Sequence, residues 1–522
     1  MSAPDVSVVV GAYNAMPYLT QCVESVLGQS LGARRLELIV VDDGSADGTG
    51  AELDRLAARH PAMRVVRQEN SGGPAAPRNR GMKLARGRYV FFLDADDWLG
   101  EEALERMLSA AEANGADIVL GKMVGAGGRV VPKSMFECDQ PRTDVFDSRV
   151  YWALNPLKLF RRDFLRRNRL RFPVDLPIGQ DQPFVALAYL RARVISVVAG
   201  YDCYYARLRD DGLNNTRRPG GAVRRLPFLR AVFALLAAEV EAGPRRDQLL
   251  RRHFQSDQRE FLEHLDRETD PRARQAAFEG FRELVDAWCS PAVADSLPAA
   301  DRLRLELIRR GRPDEALRLI RFTLDGDLPD LAIESGRVLA AYPGFREPKA
   351  ELPDALFDVT AELPVNHRID EARWRDGRFV LRGVLGVDRL DNSAARVLVV
   401  LRERDSAAEH LVAARTEGDA ASTRWRVEID PGTAASGAVL PDGLWDVFAR
   451  IECRGVARTV RVGRFRADDV DAADQRLLDA ADGKVSRLVV AYYTQPYGNL
   501  TFDVGGRLKP WWGSRPPRAA WD

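Results

Sequence analysis

Cysteine, long apolar runs and net charge are all in short supply, and each scarcity excludes something. Five cysteines (Cys22, Cys138, Cys203, Cys289, Cys453) are scattered through 522 residues. They are odd in number and lack the close spacing that a zinc site or a disulfide framework needs. Structural thiols in a reducing compartment fit that usage. No apolar run approaches the roughly eighteen residues that span a bilayer. A strand-like run already begins at Val6, which leaves no room for a signal peptide. The expectation is a cytoplasmic protein, with peripheral contact at the inner face of the cell membrane left open. Formal net charge is +1, so no global field points to nucleic acid, and none is expected as a partner. Internal repeats and low-complexity linkers are absent too.

What is present reads as three architectures in series. A chain of 522 residues is too long for one core and suggests roughly three domains. Strand and helix patterns alternate over residues 1–120, with strands expected at 6–10, 36–41, 63–67, 89–93 and 117–120. Leu19, Cys22, Val23, Val26 and Leu27 fall on one helical face between the first two strands. That is βαβ architecture with a mostly parallel sheet. Residues 121–218 are irregular, with a helix predicted over 182–190 and a strand over 194–198. Helical spacing then runs to about residue 339, punctuated by Pro244, Pro271, Pro291 and Pro313. After Pro343 come short β-rich runs separated by turn signals, the pattern of a β-sandwich. The predicted boundaries are 1–220, 221–345, 346–505 and a tail over 506–522.

The chemistry concentrates where the first-domain strands end. Val90-Phe91-Phe92-Leu93 is a buried-strand pattern that stops at Asp94-Ala95-Asp96-Asp97. Hard oxygen ligands grouped this way suit Mg²⁺ or Mn²⁺; a solvated acidic turn is the plain alternative. The other strands end in Gly11-Ala12-Tyr13-Asn14, Asp42-Asp43-Gly44-Ser45 and Asn70-Ser71-Gly72-Gly73, followed by Arg78-Asn79-Arg80-Gly81. Open α/β sheets bind ligands at this edge. Tyr13 could pack on a base, Asp43 could accept from a base N–H, and Arg78 would face a diphosphate near a helix N-terminus.

The order of these segments resembles the family 2 glycosyltransferases of GT-A fold, over about the first 220 residues. The resemblance implies a nucleotide diphosphate sugar as donor, most often UDP-linked, and Mn²⁺ or Mg²⁺ held at Asp94 and Asp96. Donor contacts are then implied at Gly11, Tyr13, Asp43, Asn70, Arg78, Asp94 and Ala95, with Arg207 as a further hold on the diphosphate. Gly11 departs from the Pro or Thr usual there. The family also has a catalytic carboxylate in a Glu-Asp-Gln-like motif, which Gln180-Asp181-Gln182 matches with Gln in place of Glu. Asp181 would be the general base that deprotonates an acceptor hydroxyl, in a single inverting displacement. Its plain alternative is a helix N-cap.

Six arginines lie between Arg161 and Arg171, and two more follow Tyr204-Tyr205 at Arg207 and Arg209. The first run is either a solvated helix face or an anionic acceptor groove. A GT-A domain, a helical linker and an immunoglobulin-like β-sandwich together resemble the wall teichoic acid glycosyltransferases. That arrangement implies a sugar such as N-acetylhexosamine passed from a UDP-sugar to an anionic polyol-phosphate polymer. It also leaves open a homo-oligomer through the C-terminal β-domain. A transferase for a lipid-linked or capsular oligosaccharide, and a carbohydrate-binding scaffold without turnover, are the alternatives.

Overall fold

The computed structural model describes residues 3–210, 221–470, 474–478, 487–494 and 497–506. The predicted tail beyond residue 506 lies outside the described residues. The chain divides into two compact units, Met1–Gly326 and Asp327–Asp522.

In the first unit the strands β1 (Val6–Ala12), β2 (Leu36–Asp42), β3 (Met63–Arg67) and β4 (Tyr89–Asp94) run parallel in the order β3-β2-β1-β4. Every residue of β2 is buried, as a strand covered on both faces requires. Register pairs Gly11 with Asp94 and Ala12 with Asp42, so three strands end at one level. Helices α1 (Leu19–Leu27), α2 (Thr49–Ala57) and α3 (Ala75–Leu84) alternate with these strands. The α3 helix approaches β1 closely: a Cβ on Gly81 would overlap Val9 Cγ1.

Beyond β4 the sheet becomes mixed. It continues through β5 (Trp98–Leu99), β6 (Ile118–Ala126), β7 (Gln140–Thr143), β8 (Leu159–Arg161) and β9 (Ile195–Arg207), with α4 (Ala103–Asn114), α5 (Arg162–Arg167) and α6 (Asp181–Arg191) between them. The strand β8 is inserted antiparallel between β4 and β6. The arginine-rich run is therefore not a single helix face: Arg161 ends a sheet strand, and only Arg162–Arg167 is helical. The strand β9 extends far past residue 198, because the equally extended β6 pairs with it as far as Arg207.

The helices α7 (Gly221–Glu239), α8 (Pro244–Arg252), α9 (Gln258–Asp266), α10 (Pro271–Trp288), α11 (Pro291–Asp295), α12 (Ala299–Arg309) and α13 (Pro313–Leu324) complete the unit. All four predicted punctuating prolines stand at the first position of a helix, where the missing N–H loses no bond. Asp270 and Ser290 cap two of these starts, accepting from Arg272 N (3.0 Å) and Val293 N (3.2 Å). Among the described residues no helix is long and apolar enough to cross a membrane.

In the second unit, Leu331–Glu334 and Arg337–Ala340 form a hairpin where the sequence pattern predicts helix. The turn explains it: Ser335 and Gly336 both take positive φ, the two-residue geometry that suits hairpins. Two antiparallel sheets follow. One contains Val365–Arg375, Arg378–Val387, Arg415–Gly418 and Thr423–Ile429; the other is built around Arg396–Glu403, Gly443–Cys453 and Asn499–Val504. Phe379 of the first meets Phe502 of the second edge to face at 5.0 Å, the core of a β-sandwich. A GT-A-type mixed sheet, a helical region and antiparallel β-sheets thus follow one another as expected.

Candidate active site

A cavity of about 610 Å³ opens at the carboxyl ends of β1, β2 and β4. All ten residues singled out above line it: Gly11, Tyr13, Asp43, Asn70, Arg78, Asp94, Ala95, Asp96, Asp181 and Arg207. None of residues 161–171 does. Arg166, Arg167, Arg169 and Arg171 are all exposed on the outside of the unit.

Arg78 occupies the centre. It is buried in the first turn of α3, donates from Nη2 to Asp94 Oδ1 (2.7 Å) and from Nη1 to Asp181 Oδ1 (2.5 Å), and lies over the Phe172 ring. Burial opposes its charge, but Asp181 and Asp94 outweigh burial and drive its pKa up. One guanidinium therefore joins two carboxylates that are 87 positions apart (181 − 94). Asp181 is the first residue of α6, behind Gln180 as cap residue, and no side chain caps that end. Its carboxyl is committed to Arg78, so the N-cap alternative does not describe it. Burial lifts the Asp181 carboxyl above the usual carboxylate range, with Arg78 pulling the other way.

The carboxylates of the acidic cluster differ in their contacts. Asp97 is buried and accepts from Tyr204 OH (2.6 Å) and Arg207 N (2.7 Å). Burial, then Asp94 and Asp96, push its carboxyl up to about 8. Asp96 is also raised, by burial first and Asp94 second, and Arg209 Nη1 stands 4.0 Å away. Arg207 holds the loop from above: Nε donates to Asp96 O (3.0 Å), and its guanidinium lies over the rings of Tyr18 and Trp98. Among the described residues no group of three or more His, Cys, Asp or Glu side chains could hold a metal ion unaided.

The opposite rim is knitted together by Asp43. Its carboxylate accepts from Gln68 Nε2 (2.6 Å), Ser71 N (3.2 Å) and Ser71 Oγ (2.9 Å). Asn70 donates to Asp43 O (3.1 Å) and accepts from Gly72 N (2.9 Å). Tyr13 is 44% exposed, with its ring available on the rim. A Cβ on Gly11 would sit 3.3 Å from Pro77 Cγ, so the start of α3 fills the space a larger residue would need.

Sequence reasoning missed a second wall. Arg224, Arg225, Phe228, Arg252, Glu260 and His264 line the cavity from the helical region. Arg225 is buried and pairs with Glu260 (2.6 Å). The available signal was Gly179: it takes φ +69°, and a Cβ there would lie 2.5 Å from the Phe228 ring. Lys158 was also missed as a site neighbour. It is fully buried, bonded to Asn155 O and Oδ1, and pushed down to about 7 by burial, with Asp181 pulling it back up.

Comparison with known proteins follows the same three-part division. Residues 7–171 match glycosyl transferase family 2, residues 226–320 the glycosyl transferase TarS linker domain, and residues 358–504 the TarS beta-glycosyltransferase C-terminal domain 1. The chain is 29% identical over 519 residues to the poly(ribitol-phosphate) beta-glucosyltransferase of Bacillus spizizenii, an alignment that spans 96% of this chain and 78% of that protein. It is 36% identical over 204 residues to the Staphylococcus aureus poly(ribitol-phosphate) beta-N-acetylglucosaminyltransferase TarS, covering 39% of this chain and 36% of that protein. The crystal structure of S. aureus TarS shares the fold, with a TM-score of 0.58 at 23% identity over 96% of this chain and 85% of that one. The S. aureus TarS 1–349 structure in complex with UDP-GlcNAc gives a TM-score of 0.56 at 26% identity, covering 65% of this chain and 97% of that one. With its strand-end carboxylates, its Arg78 bridge and this order of domains, the chain belongs to the family 2 glycosyltransferases of GT-A fold and is homologous to the poly(ribitol-phosphate) glycosyltransferases.

Proposed function

We propose that the chain transfers a sugar from a UDP-sugar to a hydroxyl of an anionic polyol-phosphate polymer, with inversion at the anomeric carbon. The observation that carries this reading is the Asp181–Arg78–Asp94 chain inside one cavity. It sets a carboxylate able to take a proton beside the strand ends where α/β folds hold nucleotides. Arg78 occupies one Asp181 oxygen and leaves acceptor capacity on the carboxylate for a sugar-acceptor hydroxyl. As that hydroxyl oxygen bonds to the anomeric carbon, its proton passes to Asp181, and the bond from the anomeric carbon to the diphosphate oxygen breaks. Tyr13, Asp43 and Asn70 would receive the nucleoside. Gly11 and Ala95 would let the backbone approach, and Arg78 and Arg207 would face the diphosphate. Residues 1–220 carry this chemistry, the linker region 221–345 contributes the cavity-lining residues between Arg224 and His264, and 346–505 serve acceptor binding or assembly.

The donor set fits a divalent cation. Asp94 and Asp96 offer hard oxygen ligands, and each raises the cost of charge on its neighbours, which a cation would relieve. Mn²⁺ or Mg²⁺, when bound, would offset charge on the diphosphate leaving group. The diphosphate and water would complete a ligand set that the protein supplies only in part.

The sugar is an N-acetylhexosamine. Glucose is the second reading, supported by the glucosyltransferase relative that aligns along nearly the whole chain. Calorimetric titration with UDP-N-acetylglucosamine and UDP-glucose, with Mn²⁺ and then with chelator, followed by transfer assays on poly(ribitol phosphate), tests the whole reading. One UDP-sugar should bind, more tightly with metal. Asp181→Asn should bind it as wild type does, while transfer falls about 10²–10⁴-fold. Unchanged turnover removes Asp181 as the base; failure of every UDP-sugar to bind would favour the scaffold alternative.

A further inference from the structure

Behind Asp181 lies a buried polar cluster that the reaction as described does not use. Between α8 and α9 the helix widens into a π turn at His253–Asp257. Such turns are rare and frequently mark functional positions. His253 and Asp257 are each 1% exposed. Asp257 Oδ2 accepts from Arg252 Nη1 (2.6 Å) and from His253 Nδ1 (2.7 Å), and Tyr151 OH meets His253 Nε2 at 3.1 Å. A carboxylate can only accept here, so it sets the proton on Nδ1, and the Tyr151 hydroxyl donates to Nε2. The cluster reaches α6 through one residue. Gln182 Nε2 donates to Asp257 Oδ1 (3.1 Å), and Gln182 Oε1 accepts from Arg252 Nη1 (3.0 Å). Both ends of that amide are fixed, and reversing it would set donor against donor.

Gln182 immediately follows Asp181. We propose that Asp257, together with Arg252 and His253, is a positioning group for Asp181: Asp257 holds the Nε2 end of the Gln182 amide and Arg252 the Oε1 end, which fixes the first turn of α6 and the aim of the Asp181 carboxylate. The inference rests on Asp181 being the base. Two physical arguments support it. Burying a carboxylate, a guanidinium and an imidazole together seldom stabilises more than well-packed apolar residues would, so stability alone is a poor reason for the cluster. The chain on the other side of Asp181 is pinned as well, with Gln180 Nε2 bonded to Leu176 O (2.8 Å) and Gly179 against Phe228. Reacting groups displaced by about 1 Å can lose on the order of 10²-fold in rate, so a base at a helix start needs such a hold.

The test exchanges the two polar roles. In Asp257→Asn the new amide N–H faces the Gln182 amide N–H, and in Gln182→Glu two carboxylates face each other. In the double variant the carboxylate now at position 182 accepts both from the amide now at position 257 and from Arg252, and the net charge of the cluster is preserved. Each single variant should lower kcat roughly 10–100-fold at unchanged donor affinity and KM, and the double variant should recover most of it. Single variants with wild-type kcat, or a double variant no better than the worse single, would overturn the inference. If Asp257→Asn does not fold, Gln182→Met cuts the same link without moving a charge: reduced kcat at unchanged donor affinity supports the proposal, and wild-type kcat overturns it. Asp181→Asn, run alongside, separates the two readings. If Asp181→Asn retains turnover, the base assignment has failed; if it loses turnover while the cluster variants keep theirs, only the positioning role has.

Discussion

The cavity has two walls made in different ways. The strand-end wall takes Gly11, Asp43 and Asp94 from the ends of buried strands and the loops that follow them. Parallel strands of matched register deliver those positions to one edge whatever their exact side chains are. The helical wall takes Arg224, Arg225 and Phe228 from α7, and Arg252 from the last turn of α8. Nothing in a helix fixes which face meets the sheet except packing against it. The first wall is written in short contiguous motifs, while the second exists only once the core has formed. Substitutions should therefore act locally on the first and through the fold on the second.

Loss of Arg78 would test that contrast most severely, after loss of Asp181 itself. Arg78→Met leaves two carboxylates facing each other without their cation. Both are about a third exposed, so solvent softens the penalty, and about 3 kcal/mol, the low end for a broken buried pair, is expected in urea unfolding. Arg78→Lys should recover little, because one ammonium cannot span two carboxylates as separate guanidinium nitrogens do. A fully active Lys variant would show that charge alone suffices.

Next in size is the seam between the walls. Gly179→Ala forces a side chain into φ +69° and against the Phe228 ring, and thermal unfolding should show a loss of about 1–3 kcal/mol. Gly11→Ala meets Pro77 at 3.3 Å and should cost less than half as much. The reverse order would mean that α3 yields less readily than α7.

A pH titration of stability sharpens the comparison further. Burial holds the His253 pKa below its ordinary 6.5, while Asp257, though buried, is held down to about 2 by Arg252 and His253. Below pH 6.5 the unfolded chain takes up a proton at His253 before the folded chain does, so stability falls as the pH drops. Asp257 adds a second loss between about 4 and 2, for the same reason. Urea midpoints should decline in these two windows, and His253→Gln should flatten the first. The smallest effect belongs to Arg166→Ala and Arg167→Ala. Both side chains are exposed and away from the cavity, so stability should stay within about 0.5 kcal/mol and transfer should be unchanged. Lost transfer would return that run to acceptor binding.

Legibility in the sequence follows the same division. The alternating strands and the acidic stop after Leu93 could be read because an apolar run that ends abruptly in charge is seldom anything but a strand leaving the core. The opening positions of four helices were marked by proline. By contrast, β8 is three residues long and sits within a basic run, and β9 continues through Tyr204 and Arg207, where aromatics beside arginine suggest surface as readily as sheet. Arg225 lies in an α7 sequence apolar on most sides, so its burial against Glu260 has no periodic signature. The π turn has none either. The place of Arg78 at the strand-end edge was legible but its bridge was not, since its partners are brought together only by the fold.

The contact between Gly81 and Val9 gives α3 a fixed height. The helix rests on the Val9 side chain of β1 with no side chain of its own as a spacer, one turn beyond Arg78. Any side chain at position 81 would work as a shim, tilting the helix off the sheet and lifting the guanidinium away from both carboxylates at once. The calibration of the active site is thus lodged in an atom that is missing, and the smallest possible addition, a single methyl group, is enough to upset it.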